Sequence, residues 1–247
     1  MSDEIEILKK RITELGKRSY SRSQYVSSDF LTLAEQSEVQ SLHLDAPYTL
    51  CGGYESAERR LVYFGSEDLC GYEAEPPIVC VGIFPVQQKF ADDLSHRDFL
   101  GSLMGLGIKR ETLGDIVIAD NCGYLFCLDT IADYIIQNLV QVRHTTVHCE
   151  ITTPPEKCAE LPEQTGVNVA SERLDALVAA VFKLSRSDSQ ELFSKERIFV
   201  NGRLITGASY SPHEGDIISA RSLGRFRYDG IDRETKRGRL RVLVRIF

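Results

Sequence analysis

A chain of 247 residues, 43% hydrophobic and 26% charged, is too apolar for a disordered protein and can bury adequate cores in two or three small domains. No apolar run approaches membrane-spanning length and the charged start MSDEIEILKK lacks a signal-peptide core, so a cytoplasmic location is expected. The net charge of −7 argues against nucleic-acid binding until it is divided: residues 1–170 hold 14 basic and 26 acidic side chains, residues 171–247 hold 15 and 10. A basic end on an acidic body is an electrostatic footprint for a polyanion.

Ile5, Leu8, Ile12 and Leu15 mark a first helix, expected to stop at Gly16. Lys17, Arg18 and Arg22, with Tyr20 and Tyr25 among them, read as a solvated linker. Thr32-Leu33-Ala34-Glu35 is a capping box that opens a second helix towards Leu42. Tyr48 to Cys51 and Leu61 to Phe64 read as strands. Gly52-Gly53 between them is a backbone turn, not a phosphate cradle, because no Lys-Ser/Thr follows. Residues 1–74 are taken as a small α/β domain, closed by Glu75-Pro76-Pro77.

Residues 75–152 alternate differently: strand Ile78 to Ile83, a helix capped near Ser95, strand Ile116 to Ala119, a turn at Asn121-Cys122-Gly123, strand Tyr124 to Leu128, a helix from Thr130 to about Leu139, and a strand through Thr145 to Ile151. That order, β-α-β-β-α-β, is the ferredoxin-like arrangement shared with RNA-recognition motifs. Gly123-Tyr124-Leu125-Phe126-Cys127 partly echoes the aromatic motif that stacks bases in such domains, but it lacks the leading basic residue and has Asp129 where a last ring belongs, so packing is the expected role of Tyr124 and Phe126. His96 and Arg97 at one end of this domain's first helix, and Lys109 and Arg110 past the other, are its only dense basic points and a candidate second contact to RNA or a partner.

Residues 153–167, with three prolines, read as a linker. In residues 168–247, Ser171 is the expected N-cap of an amphipathic helix with Leu174, Leu177, Val178 and Val181 inward and Arg173 and Asp175 outward. Ser185 caps a second short helix, with Leu192 and Phe193 inward and Arg186, Ser187, Gln190 and Lys195 outward. Ile198 to Val200, the two-residue turn Asn201-Gly202, Arg203 to Ile205 and Ile217 to Ala220 then form a small antiparallel sheet. Gly238 to Phe247 alternates strictly and extends it, with Leu240, Val242, Val244 and Ile246 inward and Arg239, Arg241 and Arg245 outward.

Arg173-Leu174-Asp175, Ser185-Arg186, Leu192-Phe193, Val200-Asn201-Gly202 and Gly215-Asp216 stand at the spacings of the RNA-binding domain named after small-subunit ribosomal protein four, here the S-four domain, which this segment resembles. Glu196 stands where that family commonly has glycine. The residues expected to meet RNA are Arg173, Ser185, Arg186, Ser187, Gln190, Lys195, Arg197, Asn201, Arg203, Arg221, Arg225 and Arg227. Forked guanidiniums, hydroxyls and a helix N-terminus suit phosphates and backbone shape. With Gly53 to Arg59 and the long run from His96 to Ile116, the whole chain resembles the bacterial YlmH family. The resemblance implies an α+β, multi-domain, non-catalytic RNA-binding protein. Its partners would be ribosomal RNA or tRNA and the large ribosomal subunit, and its place ribosome quality control or rescue of stalled nascent-chain complexes; some relatives are linked to cell division.

The alternatives are an RNA-modifying enzyme, of pseudouridine synthase or methyltransferase type, and a protein-interaction adaptor. No glycine-rich methyl-donor turn is found, and the Arg-Leu-Asp at 173–175 already belongs to the S-four helix. His144 and His148 would share a strand face without an acidic or cysteine partner. Cysteines 51, 70, 80, 122, 127, 149 and 158 contain no Cys-x-x-Cys pair and are expected as free thiols. No metal, no cofactor, no membrane partner, no small-molecule substrate and a monomer are therefore expected.

Overall fold

A computed structural model describes residues 2–155, 161–235 and 238–247. The chain is α+β and divides into two compact units, Met1–Glu160 and Leu161–Phe247.

In the first unit, helix α1 (Ser2–Arg22) packs Ile12 onto a three-stranded sheet of β1 (Val26–Leu31), β3 (Arg60–Phe64) and β2 (Tyr48–Cys51), in the order β1-β3-β2. The helix does not stop at Gly16. A side chain there would begin 3.1 Å from the Phe64 ring, so this glycine lets the helix sit close to the sheet, and the basic segment Lys17 to Arg22 is its last turn and a half, not a linker. Helix α2 (Leu33–Gln40) opens on Thr32, whose hydroxyl accepts from the Glu35 amide at 3.4 Å while the Glu35 carboxylate accepts from the Thr32 amide at 2.7 Å. A short α3 (Glu67–Cys70) follows.

The same unit contains β4 (Ile78–Pro85), α4 (His96–Gly105), β5 (Leu113–Ala119), β6 (Cys122–Leu128), α5 (Asp129–Asn138), β7 (Gln141–Val142) and β8 (Thr145–Ile151). The sheet order β5-β6-β4-β8 is the ferredoxin-like one, with β7 added at the edge. Alternation places Val81, Ile83, Leu125 and Val147 against α4 and α5, where Phe99, Leu103 and Ile135 complete the core. The Ser95 amide and hydroxyl donate to Asp98 at 2.8 and 2.6 Å and fix the start of α4, and these bonds hold the Asp98 carboxyl below its ordinary range. His144 lies in the turn before β8, so it does not share a strand with His148.

The second unit is a six-stranded antiparallel sheet, ordered β11-β10-β12-β13-β14-β9, under two helices. Its elements are β9 (Gln164–Val169), α6 (Leu174–Val181), α7 (Arg186–Ser194), β10 (Ile198–Val200), β11 (Arg203–Leu204), β12 (Ile217–Ala220), β13 (Gly224–Glu234) and β14 (Leu240–Ile246). Gln164–Val169 is an edge strand paired along β14 from Arg245 to Leu240, so the segment 153–167 is not linker to its end; residues 156–160 of it, with Cys158, lie outside the described residues. The core joins Leu177, Val178 and Phe193 to Ile198, Ile218, Phe226, Val242 and Val244. Ile246, expected inward, is 42% exposed at the strand end.

Candidate nucleic-acid interface

The second unit sorts its cations by what they touch. Arg173, not Ser171, precedes the first helical residue, and its Nε and Nη2 donate to the two carboxylate oxygens of Asp175 at 3.0 Å each. Asp175, expected on the outer face, is 4% exposed. Those side-chain bonds and the carboxylate charge raise the Arg173 guanidinium, so Arg173 is committed to neutralising a buried carboxylate. Lys195 pairs with Glu191 at 2.5 Å and Arg227 with Asp229 at 2.6 Å. The register opposes Arg227 to Arg245, and Asp229 accepts from both. Burial alone would raise the Asp229 carboxyl. Bonds from Arg227, Gln164 and Arg245 outweigh it and hold the group below the ordinary range.

Three expected polar contacts serve the fold locally. Ser185 accepts from the Asp188 amide at 3.1 Å and lies 2.8 Å from the Ser187 hydroxyl, so both hydroxyls are engaged at the start of α7. The Asn201 amide donates to Asp216 at 2.7 Å, and its carbonyl accepts from the Ile217 amide at 2.9 Å. Asn201 and Gly202 take φ of 48° and 75°, as the two-residue hairpin turn demands. Glu196 takes φ of 54°, the left-handed conformation its glycine counterpart would adopt without cost.

What is left forms the candidate interface. Arg186, Gln190 and Arg197 are exposed, and no hydrogen bond or ion pair engages their side chains among the described residues. The Arg221 amide donates to the Arg197 carbonyl at 2.9 Å, which puts these two arginines side by side at one end of the sheet. The Arg221 guanidinium lies over the Phe199 ring at 4.5 Å, and Arg225 lies over Phe247 at 5.1 Å. Phe199, Ser219 and Arg225 face one another across β10, β12 and β13, so both ring-supported arginines belong to the sheet face away from the helices. Arg203 is exposed on β11. The supporting rings were not singled out from the sequence, although Phe199 alternates with the core residues Ile198 and Val200 and can be read as outward on that ground.

In the first unit the residues of the second candidate cluster differ in what they touch. Arg110 donates to the carbonyls of Leu113 and Gly114 at 2.7 and 3.2 Å. Burial and then the neighbouring Arg59 lower it to about 10. Desolvation and then Arg110 lower His96, against the pull of Asp115. Arg97 and Lys109 remain exposed. Between them the structure shows what the stretches Gly53 to Arg59 and His96 to Ile116 do. Asp115 accepts from the Tyr54 hydroxyl at 2.9 Å and from the Glu58 and Arg59 amides at 2.6 and 3.2 Å. Arg59 donates to the carbonyls of Leu113 and Phe30 at 2.9 and 3.0 Å. Gly53, at φ 91°, has the Phe126 ring 2.3 Å from where a Cβ would stand, so only glycine brings this loop down onto the ferredoxin-like sheet. The two stretches rivet the β1-β3-β2 part to the rest of the first unit.

Among the described residues there is no group of three or more metal-ligating side chains, and no helix is long and apolar enough to cross a membrane. The cysteines at 51, 70, 80, 122, 127 and 149 are free thiols.

Residues 81–155 match a family model described as "Putative RNA-binding domain in YlmH". The chain is similar to the cell division protein ylmH from Streptococcus pneumoniae, at 17% identity and a TM-score of 0.48 over 61% of this chain and 92% of that one. It is also 30% identical over 225 residues, 87% of its length and 84% of the relative's, to the "Ribosome-associated protein quality control protein P2" of Bacillus subtilis (strain 168). With that extent of identity, the chain belongs to the YlmH family.

Proposed function

We propose that this protein is a non-catalytic RNA-binding factor of the ribosome, with its main RNA contact on the C-terminal unit, the S-four domain. The observation that carries the reading is a set of arginines: Arg186 and Arg197, exposed and with no carboxylate partner among the described residues, and Arg221, exposed and over the Phe199 ring. Guanidiniums held by rings keep their donor edges for phosphate while losing little rotamer freedom on binding. Three such contacts give an expected salt dependence of log K against log salt of about −2.1 to −2.7. Arg186 on α7 and Arg221 on the sheet face away from the helices meet the RNA around an edge of the unit, a contact that reads backbone shape.

The substrate we propose is structured ribosomal RNA or tRNA on the large ribosomal subunit, in the handling of stalled nascent chains; the name of the Bacillus relative supports that setting. The domain plan that goes with it is a β1-β3-β2 part and a ferredoxin-like part acting together, joined through residues about 152–163 to the S-four domain. Crosslinking the protein to RNA in cell extract and sequencing the attached RNA tests the reading. Enrichment of large-subunit ribosomal RNA or tRNA fragments is the expected result; a spread over messenger RNA, or none attached, overturns it.

A further inference from the structure

The ferredoxin-like sheet has a second face. Gly82, Phe84, Tyr124, His148 and Glu150 point away from α4 and α5, because Gly82 pairs with Tyr124 and Glu150, and Phe84 pairs with His148. Part of this face is covered by the Gly52–Tyr54 turn, with Tyr54 stacked on Phe126 at 4.7 Å. The remainder carries rings from three adjacent strands. Phe84 lies 5.9 Å from Tyr124 at an interplanar angle of 82°, and 5.3 Å from His148 at 35°. A Cβ on Gly82 would stand 2.3 Å from Phe84 Cζ, so the Phe84 ring lies down across bare backbone two residues earlier instead of standing on the sheet. His148 and Glu150 are exposed, and Phe84 and Tyr124 half-buried.

We propose that Phe84, Tyr124 and His148 form a base-stacking platform for unpaired nucleotides of RNA. A ring laid flat in the middle of a sheet and flanked by two others offers its π-face to a planar partner, and every base has such a face. The described residues of this face on β4, β6 and β8 include no Lys or Arg, so phosphate does not drive the contact and the base must. Glu150, across from Gly82, sets a carboxylate acceptor at the platform edge. It takes the exocyclic amino groups of cytosine, adenine and guanine, whereas uracil has no such group and offers only an N3–H flanked by two carbonyls. The site rests on the protein's being an RNA binder but not on the arginines of the other unit, and it gives that unit's shape-reading contact a base-reading counterpart.

The test uses the full chain with short single-stranded oligocytidine and oligouridine, each carrying a photoreactive base, and with duplex RNA. The wild type is expected to prefer oligocytidine and to crosslink within β4, β6 or β8. Phe84→Leu, which keeps the packing and loses the π-face, is expected to weaken oligocytidine binding about five- to a hundredfold with the salt slope unchanged. Phe84→Tyr keeps the affinity, His148→Ala at an exposed position lowers it, and Glu150→Gln narrows the preference for cytidine. Arg186→Glu with Arg197→Glu flattens the salt slope and leaves the crosslink in place. Crosslinks confined to the C-terminal unit, or equal binding by wild type and both Phe84→Leu and His148→Ala, overturn the platform while leaving the arginine reading intact. Failure of the wild type to bind any of the three RNAs removes both.

Discussion

Two pairs of arginines show what a basic residue is for. Arg59 and Arg110 in the first unit are half-buried, spend their donors on the carbonyls of Phe30, Leu113 and Gly114, and sit beside the carboxylate of Asp115. Arg186 and Arg197 in the second unit are exposed, with no such partner among the described residues. The first pair joins parts of a fold; the second is available to something outside it. Charge counted along the sequence cannot separate the two, and the partner of each guanidinium can.

The largest effect expected from this contrast is structural. Asp115→Ala takes a carboxylate away from two half-buried guanidiniums and from the Tyr54 hydroxyl, so it is expected to destabilise the first unit by about 3–5 kcal/mol in urea unfolding. The RNA affinity of the fraction that stays folded should hold. Asn201→Ala removes the brace between Asp216 and the Ile217 amide and is expected to cost about 1–3 kcal/mol, read as a lower thermal midpoint of the second unit. Arg173→Ala sharpens the contrast inside that unit: it should lower the melting temperature, because Asp175 stays buried without its guanidinium, and change RNA affinity less than Arg186→Ala does.

Acid offers a further separation. The folded His96 sits below its unfolded value, so the unfolded chain binds the extra proton first. Stability from this group is present above about 6.5, the ordinary histidine value, and is lost as pH falls through the folded pKa. His96 is therefore less cationic than an ordinary histidine. An NMR titration should show its ring titrating below the ordinary histidine value and moving up in Arg110→Ala. The smallest effect is at Glu196, whose left-handed backbone is strained for any side chain: Glu196→Gly is expected to stabilise by up to about 1 kcal/mol and, by removing a negative charge from the surface, to raise RNA affinity slightly.

How far these residues can be read from sequence depends on how local their partners are. The capping box Thr32–Glu35, the turn Asn201-Gly202 and the cap at Ser185 are settled within four residues and were legible, as was the β-α-β-β-α-β order, whose periodicities change within each element. Val26–Leu31 and Gln164–Val169 were not. VSSDFL and QTGVNV lack a clean apolar alternation, and what makes them strands is partners far along the chain, Arg60 to Phe64 for one and Leu240 to Arg245 for the other. The site divides the same way. Arg186 and Ser185 follow from a cap and a helix face, but the removal of Arg110 needs carbonyls arranged by tertiary packing. Arg173 and Arg227 were the exceptions: Asp175 and Asp229 are each two residues away, and both pairings were open to view, but the two arginines were read as RNA contacts.

The most direct test of the account is sedimentation of the protein with ribosomes as salt is raised, for the wild type, for Arg186→Glu with Arg197→Glu, and for Arg97→Glu with Lys109→Glu. The wild type should be released along a steep slope, the C-terminal double reversal should be free at all salt concentrations with its melting curve unchanged, and the first-unit reversal should track the wild type within a few fold. Association that survives reversal of Arg186 and Arg197, or that is lost on reversing Arg97 and Lys109 instead, would contradict it.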